Sequence, residues 1–420
     1  QMLRTSDKVA AMPDGAARDL ATNHLYQGQG NDCYWHGLFG GIYIAHMRLA
    51  TVEHLIAAED LADEAVRASG TDRASGRSAV RAAGADGGSL VDLDLDGVAE
   101  VRLAGPGQVL GIKLDAGAGI GTWDVRAVRH ALASVLRRRP EAYHRALIEA
   151  PDGGPFAPTA GVTSIHEVVR AKESGLAERI HYDTHERRSA LVRFLGLETS
   201  AAAWAAADEV ELGDFVDRPF ELLELGRREV LGARLGSVRS GPGGEPQAVR
   251  VETRLTIGGP RRRPTLEVQV AVEHLGRQPI DARLGLEWSL MMLGGGANPA
   301  AYHEVGGVRL AHDSSGAQAD LAMVAAGNDT IGIRLESTLD PPAEAWWAPI
   351  ETISNSEAGF ERVYQGSGQL FSWPIHLEPG ERRTIRIGQR IRTTRDRARE
   401  EGAPAATLET PSVAASPVAR

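Results

Sequence analysis

The sequence predicts a mostly β protein with an N-terminal helical segment, its β part forming a large antiparallel β-sandwich. Three observations carry that prediction. Apolar residues recur close to a 3.6-residue period between Leu38 and Ala65. The period switches to two at about Ser89. From about Asp208 onward, short alternating runs are divided by Gly, Pro and Asn turns, the pattern of a sheet-on-sheet domain. At 420 residues the chain is long for one module, and a prior of about 150 residues per domain suggests two or three.

The helical reading rests on Leu38, Ile42, Ala45, Leu49, Val52, Leu55, Ile56 and Ala62. His46, Arg48, Glu53, Glu59, Asp60 and Asp63 lie between them and are expected on a water-facing side. Ser69-Gly70 ends the pattern, and the polar stretch from Thr71 to Gly88 reads as a connector. Val91, Leu93 and Leu95 then alternate with Asp92, Asp94 and Asp96, a half-buried strand. Asp96-Gly97 supplies a tight hairpin turn, and Val98, Val101 and Leu103 continue beyond it. A strand is expected at Gln108–Leu114. Val125, Val128, Leu132 and Val135 predict a helix over about Trp123–Leu136. Val249–Ile257 and Thr265–His274 alternate, the latter with Leu266, Val268, Val270 and Val272 on one face. Arg283–Met292, Thr330–Glu336, Gly368–Leu377 and Thr384–Ile391 follow as strands. The Ala/Pro/Ser-rich end at Gly402–Arg420 carries too little apolar surface to order itself.

Composition narrows the function classes. Forty-six basic against 56 acidic residues leave a net charge of −10, a poor basis for phosphate binding, so nucleic acid is not an expected partner. Lysine occurs only at Lys8, Lys113 and Lys172, so the basic residues are almost all Arg. No run of eighteen apolar residues predicts a membrane span, and no signal-peptide pattern is visible. With Cys33 as the single cysteine, no intrachain disulfide can form, which favours a reducing, cytoplasmic setting.

The densest patch of functional residue types is Gly30–Gly41, NDCYWHGLFG within it. It places Asn31, Asp32, Trp35 and His36 directly before the amphipathic pattern. Sugars are held by carboxylates and amides at their hydroxyls and by aromatic faces over their C–H surfaces. The same stretch also reads as a helix start, with Asn31 or Asp32 as N-cap and the aromatics in the core. Asp92-x-Asp94-x-Asp96-Gly97 imitates a calcium loop, but Leu103 stands where the bidentate Glu is needed, and a hairpin is the better reading. His181-Tyr182-Asp183-x-His185-Glu186-Arg187-Arg188 matches no zinc spacing and reads as a charged surface helix leading into Ala190–Leu195. Trp346-Trp347 and the polar residues after them read as a core strand in preference to a sugar platform. Neither a Gly-x-Ser-x-Gly elbow nor a phosphate loop is present. No metal or cofactor is expected.

Taken together, Met2-Leu3-Arg4, Asn31–Tyr43, Asp92–Val101, Arg137–His144, Tyr182–Phe194 and Trp347–Gly366 resemble, in order, the C-terminal half of glycoside hydrolase family 57 enzymes of the 4-alpha-glucanotransferase and alpha-amylase branch. The resemblance implies a helical segment over residues 1–85 that packs on a catalytic (β/α)7 barrel. It further implies a sandwich of galactose-mutarotase-like type over 86–395, beyond which composition alone predicts a disordered tail over 396–420. In the family the barrel carries the nucleophilic Glu and the acid/base Asp, so no catalytic residue is expected among these 420. On this reading Trp35 stacks on a glucose ring, while Asn31, Asp32 and His36 touch sugar hydroxyls or orient the catalytic carboxylates. Cys33 departs from the small residue expected at its position.

The function that follows is the C-terminal portion of a retaining alpha-glucan-acting enzyme, inactive alone. Its expected partners are an alpha-glucan or maltooligosaccharide, the barrel of the same enzyme, and a further copy in a homo-oligomer. Two alternatives stand beside it. One is a stand-alone carbohydrate-binding protein resting on Trp35, Trp346 and Trp347. The other is an aldose epimerase resting on fold analogy alone.

Overall fold

The structure, a computed structural model, describes residues 1–36, 41–69, 85–149, 154–155, 168–169, 171–241, 243–356 and 359–402. Three helices lead: α1 (Met2–Ala10), α2 (Ala16–Gly28) and α3 (Ala45–Ser69), with 3-10 turns at Asn31–Cys33 and Gly41–Tyr43 between the last two. Val9, Met12, Ala21, Leu25, Leu55, Ala58 and Ala62 form their shared core. Gly28 lets α2 cross α3 closely, because a Cβ there would lie 2.5 Å from Leu55 Cδ2. Residues 37–40 of the predicted periodic stretch and 70–84 of the connector lie outside the described residues, as do 403–420 of the tail.

A five-stranded antiparallel sheet follows in simple sequence order: β1 (Gly87–Val91), β2 (Glu100–Ala104), β3 (Gln108–Lys113), β4 (Gly119–Val125) and β5 (His130–Ala131). Past α4 (His144–Glu149) and the short pair β6 (Gly154–Pro155) and β7 (Val168–Val169), the chain enters a twelve-stranded system. Its members are β8 (Leu191–Leu195), then, after α5 (Ala201–Ala206), β9 (Glu221–Leu225), β10 (Glu229–Arg239), β11 (Pro246–Gly258), β12 (Thr265–His274) and β13 (Ile280–Leu290). β14 (Ala301–Val305), β15 (Val308–Ala311), β16 (Gly316–Asn328), β17 (Ile333–Ser356), β18 (Gly359–Leu377) and β19 (Arg382–Thr393) complete it, and α6 (Arg397–Gly402) ends the described chain.

Two layers arise because β17 serves both. Its first half pairs with β19, ending at Asp340↔Arg386, and its second half pairs with β18, beginning at Glu344↔Ser372. Pro341 and Pro342 fall in the gap, where a strand without N–H donors can change partners. One layer runs β15-β14-β16-β17-β19-β12-β11-β10-β9; β17, β18, β13 and β8 form the other. The period-two pattern of β12 puts Leu266, Val268, Val270 and Val272 into the core with Ile385 and Ile387 of β19 and Leu284, Leu286 and Phe371 of the facing layer. The fold is therefore mostly antiparallel β with an N-terminal helical segment.

Several local expectations change. Trp123–Leu136 is not a helix: Trp123 and Val125 belong to β4, and a turn with Arg129 at φ +53° leads to β5. The 3-4-3 spacing there reflects a tight turn whose apolar residues are all buried. His181–Arg188 is an irregular segment, because the side chains of Asp183, His185 and Arg187 turn inward to buried partners. The Asp96-Gly97 hairpin is broader than a two-residue turn. β1 stops at Val91, pairs it with Glu100, and Asp92 caps the loop by accepting from the amides of Leu95 and Gly97 at 2.7 and 3.1 Å.

The largest departure is on α3. Arg48, Glu59, Asp60 and Asp63, read as water-facing, are all buried. Glu59 takes Arg4 and Lys8 of α1 at 2.8 Å each and Arg102 of β2 at 3.0 Å. Asp63 takes Lys8 at 2.7 Å and Arg126 at 2.5 Å; Asp60 takes Arg126 at 2.9 Å and Arg261 at 2.6 Å. Arg261 also holds Asp396 at 2.9 Å. Charges leave water only when paired this fully. Beside this network, Ala45, Leu49 and Ile56 pack on Val135, Met291, Ile350 and Tyr364, so α3 is seated on both sheets.

Candidate functional site

The stretch singled out by composition folds as a rim. α2 ends at Gly28, and the 3-10 turn Asn31–Cys33 buries Cys33 while leaving Asn31 and Asp32 exposed. Tyr34 ties the turn back by donating its hydroxyl to the Gly28 carbonyl at 2.7 Å. Trp35 is fixed through its backbone: its carbonyl accepts from Ile42 N–H at 2.9 Å, closing the loop. Gly41 makes that closure possible, since it sits at φ +49° and a Cβ there would lie 2.1 Å from the Trp35 oxygen. Trp35 is 55% exposed, an unusual position for so large an apolar residue. The N-cap alternative does not describe this turn, whose N-cap position is Gly30 and whose Tyr34 and Trp35 are exposed and not in the core.

His36 points the other way. Its ring meets Tyr43 edge-on at 5.1 Å and Tyr143 at 5.4 Å, and its Nε2 is buried without a hydrogen-bond partner. Behind it lies a polar–aromatic cluster that sequence reasoning did not identify. Tyr43 donates its hydroxyl to the Glu141 carboxylate, and burial together with that anion pushes the Tyr43 phenol far above its ordinary value. His144 accepts at Nδ1 from the Glu141 amide at 3.2 Å and from the Tyr182 hydroxyl at 3.1 Å. Its Nε2–H therefore donates to the Ile353 carbonyl at 2.8 Å, a neutral tautomer that burial also favours by lowering the imidazole pKa. Tyr143 packs on His144 at 4.9 Å and on Phe360 at 6.0 Å. Arg137–His144 and Tyr182 were recognised only as part of an ordered pattern; no local spacing marks them as neighbours of His36.

Of the four sequence candidates, Asn31, Asp32 and Trp35 share the exposed rim and His36 joins it to the cluster. The other motifs resolve into structure. Asp183 is a hub for Arg138 at 2.6 Å and Arg187 at 2.5 Å, which hold its carboxyl well below the usual range. Glu287 gathers Arg187 at 2.9 Å, Arg193, His185 at 3.5 Å and the Trp204 indole N–H at 3.2 Å. The imidazole of His185 thus faces a carboxylate within an ion network. Asp92, Asp94 and Glu100 do converge, but the Lys113 ammonium lies among them, at 2.5 Å from Asp94, 2.8 Å from Asp96 and 3.1 Å from Glu100. Trp346 packs on Trp204 at 6.2 Å, and Trp347 donates its indole N–H to Ser314 at 3.2 Å; both are buried strand residues, as the core reading expects. Among the described residues, no helix is long and apolar enough to cross a membrane.

The arrangement can present a flat aromatic face flanked by a carboxylate and an amide. Comparison with known proteins gives that chemistry a context. Residues 92–387 match the family model described as alpha-amylase/4-alpha-glucanotransferase, C-terminal, and residues 1–62 match the middle domain of the same group. Alpha-amylase 1 of Dictyoglomus thermophilum is 30% identical over 391 residues, covering 92% of this chain and 51% of that protein. The 4-alpha-glucanotransferase of Thermococcus kodakarensis is 28% identical over 384 residues, covering 90% and 48%. The crystal structure of 4-alpha-glucanotransferase from Thermococcus litoralis superposes with a TM-score of 0.67 at 23% identity, over 93% of this chain and 48% of that one, a likeness of fold. The chain spans about half the length of the curated relatives it matches.

Proposed function

Because the chain belongs to the alpha-amylase/4-alpha-glucanotransferase family, we propose that it lines one wall of an alpha-glucan groove in a retaining glycosidase or transglycosylase. The groups that break the bond then lie on a catalytic barrel outside these 420 residues. The observation that carries this reading is the rim: an exposed indole, carboxylate and amide on a backbone locked by the Trp35–Ile42 closure.

In that role Trp35 covers the C–H face of a glucose unit, and Asn31 and Asp32 bond its hydroxyls. For His36, whose buried Nε2 has no hydrogen-bond partner among the described residues, the proposed partner is a sugar hydroxyl or a carboxylate of the barrel. The parent reaction uses two carboxylates about 5–5.5 Å apart and a glycosyl-enzyme intermediate, released to an acceptor hydroxyl or to water. A rigid aromatic wall contributes by ordering the sugar and excluding water from one of its faces. Further expected partners are the barrel and a second copy of the chain. A cytoplasmic setting agrees with the lone, buried Cys33.

Assay of the chain on maltooligosaccharides, alone and with a family barrel supplied in trans, tests the division of labour; robust turnover by the chain alone would overturn it. Affinity electrophoresis in amylose or glycogen gels tests the wall itself. Trp35→Ala is expected to weaken retardation about ten-fold, the equivalent of about 1.4 kcal/mol, and unchanged migration would remove Trp35 from the groove. A stand-alone carbohydrate-binding role keeps only Trp35 of its three aromatic platforms, since Trp346 and Trp347 are buried.

A further inference from the structure

Away from the rim, a solvent-open cleft of about 460 Å3 runs between α5 and β17. One wall is α5, whose Ala201, Ala202, Ala205 and Ala206 keep it wide; the floor is Trp347 and Pro349. The Trp347 ring is set by its bond to Ser314 and by Gly316, where a Cβ would lie 2.3 Å from the indole. The lining also carries Arg138, Arg179, His181 and Glu351. Arg138 is committed to Asp183 and to the Ala205 carbonyl, and Glu351 to Arg362. Arg179 and His181 have no side-chain hydrogen bond or ion pair among the described residues. His181 is held neutral, first by partial burial and then by the Arg138 charge.

We propose that this cleft is a second alpha-glucan subsite, holding a stretch of the same polysaccharide whose reacting end lies against the rim. The volume falls within the range of about 300–1,000 Å3 typical of small-molecule sites. Alanine and proline carbon suits the C–H faces of a sugar. A free guanidinium and a neutral imidazole suit its hydroxyls, which both donate and accept. The cleft also adjoins the aromatic cluster behind His36. His181 lines the cleft, and the next residue, Tyr182, bonds His144; Glu351 lines it, and Ile353, two residues on, holds the same imidazole. The proposal rests on the glucan reading of the rim but is separable from it.

Hydrogen–deuterium exchange of the full chain with maltoheptaose reads both places at once. Protection is expected over residues 198–208 and 314–318 as well as over 31–36. Arg179→Ala, which removes a charged donor, and Ala202→Phe, which fills the cleft, are each expected to abolish protection at 198–208. Each is also expected to weaken maltoheptaose binding about five- to ten-fold, with protection at 31–36 retained. Protection confined to 31–36, with both variants binding as the parent does, overturns the subsite and leaves the rim standing. Protection confined to the cleft supports the subsite and removes the rim. No protection in either place removes both.

Discussion

His303 and His312 stack 4.2 Å apart and nearly parallel, fully buried between β14 and the loop after β15. His303 Nε2 donates to the His312 carbonyl at 3.1 Å and its Nδ1 accepts from Gln369 at 3.1 Å, while His312 Nδ1 faces Tyr364 at 2.7 Å and Ser367 at 3.0 Å. Burial pushes His303 down to about 4 and His312 well below its ordinary value, with the neighbouring His303 a second cause for the latter. The unfolded chain takes up these protons near pH 6.5, whereas the folded chain protonates His303 only near 4 and His312 only well below its ordinary value, so stability from the pair is full above about 6.5 and is lost as pH falls toward 4. The urea midpoint should therefore fall between pH 7 and pH 5 more steeply in the parent than in a His303→Gln, His312→Gln double variant; equal slopes would exclude the pair as the source. Neither residue was singled out by sequence. A lone imidazole in a strand pattern carries no sign of its stacking partner, whereas Trp35, with an amide, a carboxylate and an imidazole within five residues, announces itself.

Elements whose partners are close in sequence were the most legible. β12 was placed to the residue because period-two alternation and one buried face specify a register unaided. The segment around residues 123–136 was misread because a turn packed inside the core reproduces helical spacing, and only the left-handed backbone at Arg129 distinguishes them. The closure between Trp35 and Ile42 depends on a similar feature at Gly41. Gly41→Ala meets both a left-handed penalty of about 1–2 kcal/mol and a collision with the Trp35 carbonyl, so the closure should open. The expected result is glucan affinity as poor as that of Trp35→Ala with the far-ultraviolet circular dichroism retained. Parental affinity would show that the closure does not position the indole.

At the scale of the whole molecule, the acidic residues of α3 are what sequence reading missed most completely. Glu59, Asp60 and Asp63 look like a solvated helix face because their cationic partners lie on α1, β2, the turn after β4 and the β11–β12 loop, as far as Arg261. Once buried together these charges make the helices and both sheets one cooperative body. Removing a single partner from such a site costs about 3–5 kcal/mol, so Arg126→Met should lower stability by that order in urea while leaving a single transition. Two resolved transitions would mean that the helical segment unfolds on its own. Deleting residues 1–69 strips Arg102 and Arg126 of their α3 carboxylates and leaves Arg261 only Asp396, and the remaining chain should be recovered insoluble where the full chain is not.

The same network bears on how such proteins can be recombined. A crossover between homologues anywhere from Ser69 to Glu100 falls between Glu59 and Arg102, and so parts donors from acceptors at a junction where neither can turn to solvent for relief. Chimeras that inherit α1 through α3 from one parent and the sheets from another should survive only when both parents carry the same charges at these positions. The helices and the sheets are, in hereditary terms, a single exchangeable unit.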